Sequence, residues 1–353
     1  MKLVLDIDPR PGNARNSEGS FIRMPDGGIL FAYSRYSSND YDDGASCDIA
    51  VIRSFDEGET WSEPEIIARS ADYKVRNLMS VSAVYQEDQT LGIYFIIKEN
   101  DGNNSIGRAL SSDGYTFSCE RCLIKGSETY YVLNNDRIER LMDGRLVIPV
   151  ALHGHNKKEF FDIFAVSSCV VSEDDGRTFS LLPIRLTIPA LKAGDVGMQE
   201  PGIIQYPDGT IYLWARTSAG FQYESYSRDN LVSFTPPTAS VFTSPDSPLE
   251  IAEHEGIYYA VYNPVARNAY VHRDGAPHSW SRTPLVIRKS TDNGKTWGSL
   301  TPIEEDENRG YCYPAMFFTK DNSMLCAYCR GGEADGICLA RLGIMKISLD
   351  EIK

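Results

Sequence analysis

Counting eight residues back from the turn acid of each of six hairpin-like segments reaches a polar residue every time: Glu18, Ser80, Asn135, Glu200, Ser247 and Tyr313. The segments are RMPDGGILFAY, YQEDQTLGIYF, RLMDGRLVIPV, QYPDGTIYLWA, AEHEGIYYAVY and FTKDNSMLCAY, with turn acids Asp26, Asp88, Asp143, Asp208, Glu255 and Asp321. Two of these residue types do chemistry together. A phenol with an ordinary pKa near 10 becomes a nucleophile only beside a base, and a glutamate is such a base. If the fold gathers the six equivalent positions round one axis, Tyr313 and Glu200 meet at a polar channel mouth, a candidate site.

Gathering them requires repeated elements, and a second repeat supplies them. SFDEGETW at 54–61 returns as SEDDGRTF at 172–179 and STDNGKTW at 290–297; SSDGYTF at 111 is one residue short, and SRDNLVSF at 227 keeps Ser, Asp, Ser and Phe. The starts are separated by 57, 61, 55 and 63 residues. A period near 60 that holds several short strands indicates a propeller blade. Within the box, Asp and Gly permit a tight turn, the hydroxyls and carboxylate bond local backbone, and the aromatic pins the turn to its sheet. The boxes are therefore fold elements, not catalytic ones. The expected fold is all-β: a six-bladed β-propeller of four-stranded antiparallel blades, one domain over 1–353, its last blade closed by the N- and C-terminal strands.

Composition narrows the partners. With 49 acidic against 35 basic residues the formal charge is −14, which opposes nucleic acid and anionic membrane surfaces because both need a basic field. No run approaches the roughly 20 apolar residues of a membrane span. The start, MKLVLDIDPRPGN, lacks the apolar stretch of a secretory signal, so a cytoplasmic location is expected. Of two CxxC pairs, Cys119/Cys122 and Cys326/Cys329, the second lies in the strand-like SMLCAYCR, where residues three apart face opposite sides. Reduced thiols are expected there rather than zinc, and no metal or cofactor is required. P-loop, GxGxxG, HExxH and nucleophile-elbow patterns are absent from the sequence.

The recurring Ser-x-Asp-x-Gly-x-Thr-aromatic box resembles the Asp-box repeats of the sialidase (neuraminidase) superfamily, over nearly the whole chain. The resemblance implies a tyrosine nucleophile opening the last blade, matched by Tyr313 of YCYPAMFFTKDN, with Tyr311 the alternative if the register slips. It implies a glutamate base in the fourth blade, matched by Glu200 of EPGIIQYPDG, and two substrate-binding arginines, matched by Arg216 of LWARTS and Arg282 of RTPLVIRKS. Both arginines are expected to lower the phenol's pKa. The acid/base aspartate falls in SSNDYDDGASCD, where Asp43 matches best and Asp40 and Asp42 remain open.

One departure is large. The family opens its first blade with Arg-Ile-Pro, whose Arg completes a carboxylate-binding triad; RNSEGSFIRMPDGG has Glu18 there. An acid beside a bound carboxylate costs free energy unless it is protonated or paired. Either the triad is rebuilt from Arg15, Arg35 or Arg137, or the substrate lacks that carboxylate, and the exchange points to a changed substrate. Asn134, Asn135, Asp136, Arg137, His153, Gln222, Tyr223 and Glu224 are further candidates around the mouth, while Trp214 and Trp280 read as packing. The function implied is a sialidase-like exo-glycoside hydrolase that removes a terminal acidic sugar from a small glycan. The alternatives are a hydrolase or lyase of a neutral or uronic sugar, and a glycan-binding propeller without catalysis.

Overall fold

The structure is a computed structural model that describes residues 1–100, 103–125, 130–155, 161–190, 195–266 and 282–353; Trp280 lies outside them. The boxes fold as their chemistry dictates. Ser54 Oγ donates to Asp56 Oδ1 at 2.9 Å and accepts from Gly58 N at 2.9 Å, while Asp56 accepts from the N–H of Thr60 at 2.9 Å and from its hydroxyl at 2.5 Å. The same serine–aspartate bond recurs at Ser111, Ser172, Ser227 and Ser290. At the most divergent copy, Leu231 occupies the glycine position with φ +73° and still donates its N–H to Ser227 Oγ at 3.0 Å. The local hydrogen bonds thus hold the turn even where a leucine must adopt the left-handed conformation that glycine takes freely.

The chain is all-β in a propeller-like arrangement, but hydrogen bonding does not divide it into six separate four-stranded sheets. Among the described residues there are five sheets, three of them four-stranded. The remaining two have six and eight strands. In the eight-stranded sheet two successive meanders meet through a single parallel pair, Cys47 with Asn77, so the expected count fails at one bridge. The innermost strands face one another across an axis: Asn16–Arg23 contacts Asn77–Tyr85 and Cys312–Phe318, and Glu250–His254 contacts Gln199–Gln205 and Cys312–Phe318. The chain ends close one sheet as expected, Lys2–Ile7 pairing antiparallel with Leu342–Ser348.

Strands between two neighbours must be apolar on both faces, and the sequence ILFAY does this by alternation. Leu30 and Ala32 bury against Leu78, Val81 and Phe95 on one side. Phe31 and Tyr33 bury against Leu325, Ala327 and Ile344 on the other. Boxes reach the same seams from outside, since a Cβ on Gly58 would meet Leu325 Cδ2 at 2.6 Å.

That contact separates two effects of a single methyl. Gly58 and Gly209 both have φ +85°, but a Cβ on Gly209 meets nothing within 4 Å. Gly209→Ala should cost about 1 kcal/mol from its backbone conformation, whereas Gly58→Ala should cost about 1–3 kcal/mol more through overpacking. Urea denaturation of both variants checks this, and equal costs would mean that the seam is loosely packed.

Candidate functional site

The residues reached by counting back from the turns stand out for a backbone reason. Glu18, Ser80, Glu200 and Tyr313 have φ of +53°, +59°, +47° and +54°. Each lies where two residues of an innermost strand oppose one on its partner: register slips between Ser17 and Ser20, Met79 and Ser82, Gln199 and Gly202, and Cys312 and Ala315. Such bulges re-aim a side chain, and left-handed non-glycine residues cost of order 1–3 kcal/mol each unless the surroundings impose them. All four side chains line one cavity of about 330 Å³. The other two counted positions differ. Asn135 gives its left-handed place to Asp136, φ +57°, and its amide instead donates to the carbonyls of Gly19 at 2.9 Å and Pro314 at 3.3 Å across the axis. Ser247 is buried, donating to Asn263 Oδ1 at 2.7 Å.

The cavity brings together Tyr313, Glu200, Asp43, Glu18, Arg216, Arg282 and His153. Tyr313 Oη donates to Glu200 Oε1 at 2.7 Å, and Glu200 Oε2 lies 2.7 Å from Arg216 Nη1. Arg216 is fixed from behind by Asp246, 2.5 Å from its Nε. The Arg282 guanidinium donates to the Asp246 backbone carbonyl at 3.1 Å and lies 5.8 Å from the centre of the Tyr313 ring. Both arginines lower the phenol as expected, but they do not set the net shift. Burial and the Glu200 carboxylate push the Tyr313 hydroxyl well above its ordinary range, outweighing Arg216 and Arg282. The phenol therefore keeps its proton at rest, and its departure requires the adjacent carboxylate.

Opposite this pair, Arg15 is 1% exposed, its guanidinium 4.4 Å from the centre of the Tyr36 ring. Its Nη1 pairs with Asp43 Oδ1 at 2.5 Å, its Nη2 with Glu18 Oε2 at 3.4 Å, and its Nε donates to Ser17 Oγ at 2.9 Å. Asp43 sits at the rim with its side chain 65% exposed. Burial pushes its carboxyl up, but Arg15, Lys98 and Arg216 together pull it below the usual range. Glu18, 3% exposed, goes the other way: burial raises it to about 7, with Asp43 and Glu200 adding to the rise and Arg15 opposing it.

Several expectations are corrected. Arg35, Asn135, Arg137 and Gln222 do not line the cavity. Arg137 is buried, paired with Glu250 and lying 5.5 Å from the Trp214 ring, so it ties two sheets together. Gln222 donates to Ser244 Oγ at 2.8 Å and Ser247 O at 2.7 Å, holding a loop. Arg35 stands on the strand Ile29–Tyr36, cross-strand from Asn16 and Asp48, away from the cavity lining. Of the open alternatives, Tyr311 is buried in the core, and Asp40 and Asp42 hold their own loop by accepting from Asp42 N at 3.0 Å and Gly44 N at 2.8 Å. Lys98, Asn104 and Gln199 line the cavity without having been singled out. Lys98 and Asn104 are cross-strand partners at the end of a hairpin, the strand-end position that Arg216 also holds opposite Gln199. That position is the signal that would have found them.

The family described as BNR repeat-like domain matches residues 29–326. The chain belongs to that family. No curated protein matches the sequence. Among solved structures, the Hadza microbial sialidase Hz136 is similar with TM-score 0.74 and 16% identity, over 97% of this chain and 67% of that one. The NanB sialidase from Streptococcus pneumoniae gives 0.72 and 12%, over 100% and 71%. An intramolecular trans-sialidase from Ruminococcus gnavus gives 0.70 and 12%, over 97% of both chains. At such identities the likeness is one of fold, and with the BNR match it bears out the sialidase-superfamily resemblance at that level.

The arginine beneath the cavity offers a direct test. Glu18 is raised in the folded protein, so its favourable contribution is present below the unfolded value near 4.5 and is lost as pH rises through about 7. Arg15→Met removes the cation that limits this loss. The variant should be destabilised by about 3–5 kcal/mol at pH 8, and by less at pH 5, where Glu18 is protonated. Urea melts at the two pH values measure the difference; a cost independent of pH would contradict the coupling.

Proposed function

We propose that the chain is an exo-acting glycoside hydrolase of the sialidase kind, with Tyr313 as nucleophile and Glu200 as its base. The hydrogen bond of 2.7 Å between the two, inside a cavity that also holds Arg216 and Arg282, is the observation that carries this reading. In the first step the Tyr313 oxygen bonds the anomeric carbon, its proton passes to Glu200, and the glycosidic C–O bond breaks. The leaving oxygen takes a proton from a carboxylic acid of the cavity wall, the part that the family resemblance gives to Asp43. In the second step water replaces tyrosine on the anomeric carbon, its proton going to that wall carboxylate, while Glu200 returns its proton to the phenolate. A neutral phenol suits a substrate whose anomeric carbon bears a carboxylate, which would repel an attacking Asp or Glu.

Two substrate readings follow from the charges. Arg216 and Arg282 beside Tyr313 support a terminal acidic sugar on a small glycan. Glu18 favours a second reading, a neutral or uronic sugar with no carboxylate on the anomeric carbon, because that group would meet the Glu18 carboxyl. We also read the eight-stranded sheet as two blades joined at Cys47 and Asn77, which makes six blades in one domain.

The test is a panel of 4-methylumbelliferyl glycosides comprising the α-N-acetylneuraminide, uronides and neutral sugars. Turnover of one member, lowered about 10²–10⁴-fold by Glu200→Gln, together with an adduct on Tyr313 trapped by its fluorinated analogue, is expected. Binding of a glycan with no turnover anywhere in the panel, unchanged in Tyr313→Phe, would make the cavity a recognition site instead.

A further inference from the structure

Among the described residues three carboxylic acids, Glu18, Asp43 and Glu200, line the cavity, and their partners divide the work among them. Glu200 accepts from Tyr313 at 2.7 Å and faces Arg216 at 2.7 Å, so its two oxygens are committed to the nucleophile's side. Asp43 is held by the Arg15 guanidinium at 2.5 Å, with the Lys98 ammonium donating to its backbone carbonyl at 2.8 Å and its side chain open to water. The cations around Asp43 favour its carboxylate form. A carboxylic acid that must deliver a proton needs the opposite environment.

Glu18 has that environment. Its bulge turns it into the cavity. Its contacts with cationic and hydroxyl donors are long: 3.4 Å to Arg15 Nη2 and 3.5 Å to Ser17 Oγ. It is 3% exposed. Beside it stand Asp43, from the loop after the strand Ile29–Tyr36, and Glu200, from an innermost strand across the axis, which both raise it, and the phenols of Tyr36 and Tyr313 and the thiol of Cys47, which burial keeps neutral; Arg15 is the cation in contact, while Lys98, Arg216 and Arg282 line the same cavity. Arg15 is shared, and its shorter bond goes to Asp43.

We infer that Glu18, rather than Asp43, is the general acid and base of the cavity, while Arg15 holds Asp43 as an ionised positioning group. The inference rests on the glycosidase reading and specifies it. As the Tyr313 oxygen bonds the anomeric carbon, Glu18 gives its proton to the departing glycosidic oxygen. It takes a proton back from the water that later displaces the tyrosine, so it ends protonated as it began. The placement of its titration at about 7 gives the carboxyl a proton to donate at neutral pH. It also gives the residue that departs from the family motif a task that an arginine could not perform.

The experiment compares Glu18→Gln, Glu18→Asp and Asp43→Asn in the full chain, each checked for folding by circular dichroism. The probes are the 4-methylumbelliferyl glycoside that the protein turns over and the 2,4-dinitrophenyl glycoside of the same sugar, whose leaving group needs no proton. Glu18→Gln should lower kcat/KM on the first about 10²–10⁴-fold and on the second far less, with loss of the alkaline limb of the pH profile near 7. Glu18→Asp should restore part of the rate on the first probe, and azide should speed Glu18→Gln on the second. Should Asp43→Asn give this pattern and Glu18→Gln spare both probes, the assignment is overturned while the glycosidase reading stands. If no glycoside is turned over by the parent protein, the glycosidase reading falls and the inference falls with it.

Discussion

Four residues with left-handed backbones, each at an identical slip in an innermost strand, set the terms for everything else in this molecule. A strand left regular would send Glu18, Ser80, Glu200 and Tyr313 alternately toward one sheet neighbour or the other, into apolar seams. The extra residue breaks that alternation and turns the side chain along the axis. The conformational cost, of order 1–3 kcal/mol at each, is tolerated because the flanking strands are buried on both faces and cannot relax. Outer turns held by serine, aspartate and threonine serve the same end from a distance. They clamp the sheets, the sheets fix the slips, and the slips present a phenol and two carboxyls to one cavity.

Charge inside the cavity is arranged in two separate chains. One runs from Asp246 through Arg216 to Glu200 and ends on the Tyr313 hydroxyl. The other runs from Asp43 through Arg15 to Glu18. In each, one arginine serves two acids, so neither chain is fully neutralised by its own cation. Burial makes this imbalance consequential, since a carboxyl short of a partner keeps its proton. The two chains therefore end in groups of different character, a phenol hydrogen-bonded to a carboxyl and a buried carboxyl raised to about 7.

Much of this was legible in the residues, and the failures are informative. The distance from turn to bulge is local, a fixed number of residues along one strand, so counting found Glu18, Ser80, Glu200 and Tyr313. It failed at Asn135 because the left-handed residue there is its neighbour Asp136, and at Ser247 because that strand is not bulged. The roles of Arg137 and Gln222 depend on partners across the axis or on a neighbouring loop, Glu250 and Ser244, that spacing does not reveal. The sign of the shift at Tyr313 was likewise hidden, because residue types disclose the arginines but not how deeply the phenol is buried. Fold type followed from the repeats; the sheet count did not, because one parallel pair joining two meanders leaves no mark in either sequence.

The strand Lys2–Ile7 lies against Leu342–Ser348, with Lys2 beside Lys346. No contact in a chain of this length is much less local, and closing so long a loop carries an entropic cost that must be met before the pairing is rewarded. A nascent chain can build its inner hairpins one after another as each emerges, yet the ring stays open until the strand Leu342–Ser348 arrives. Tyr313, in the same sheet as that closure, is thus among the final parts to be fixed. A chain synthesised only as far as its inner hairpins would have its outer turns and most of its seams but no assembled cavity, which ties acquisition of the site to the arrival of the strand Leu342–Ser348.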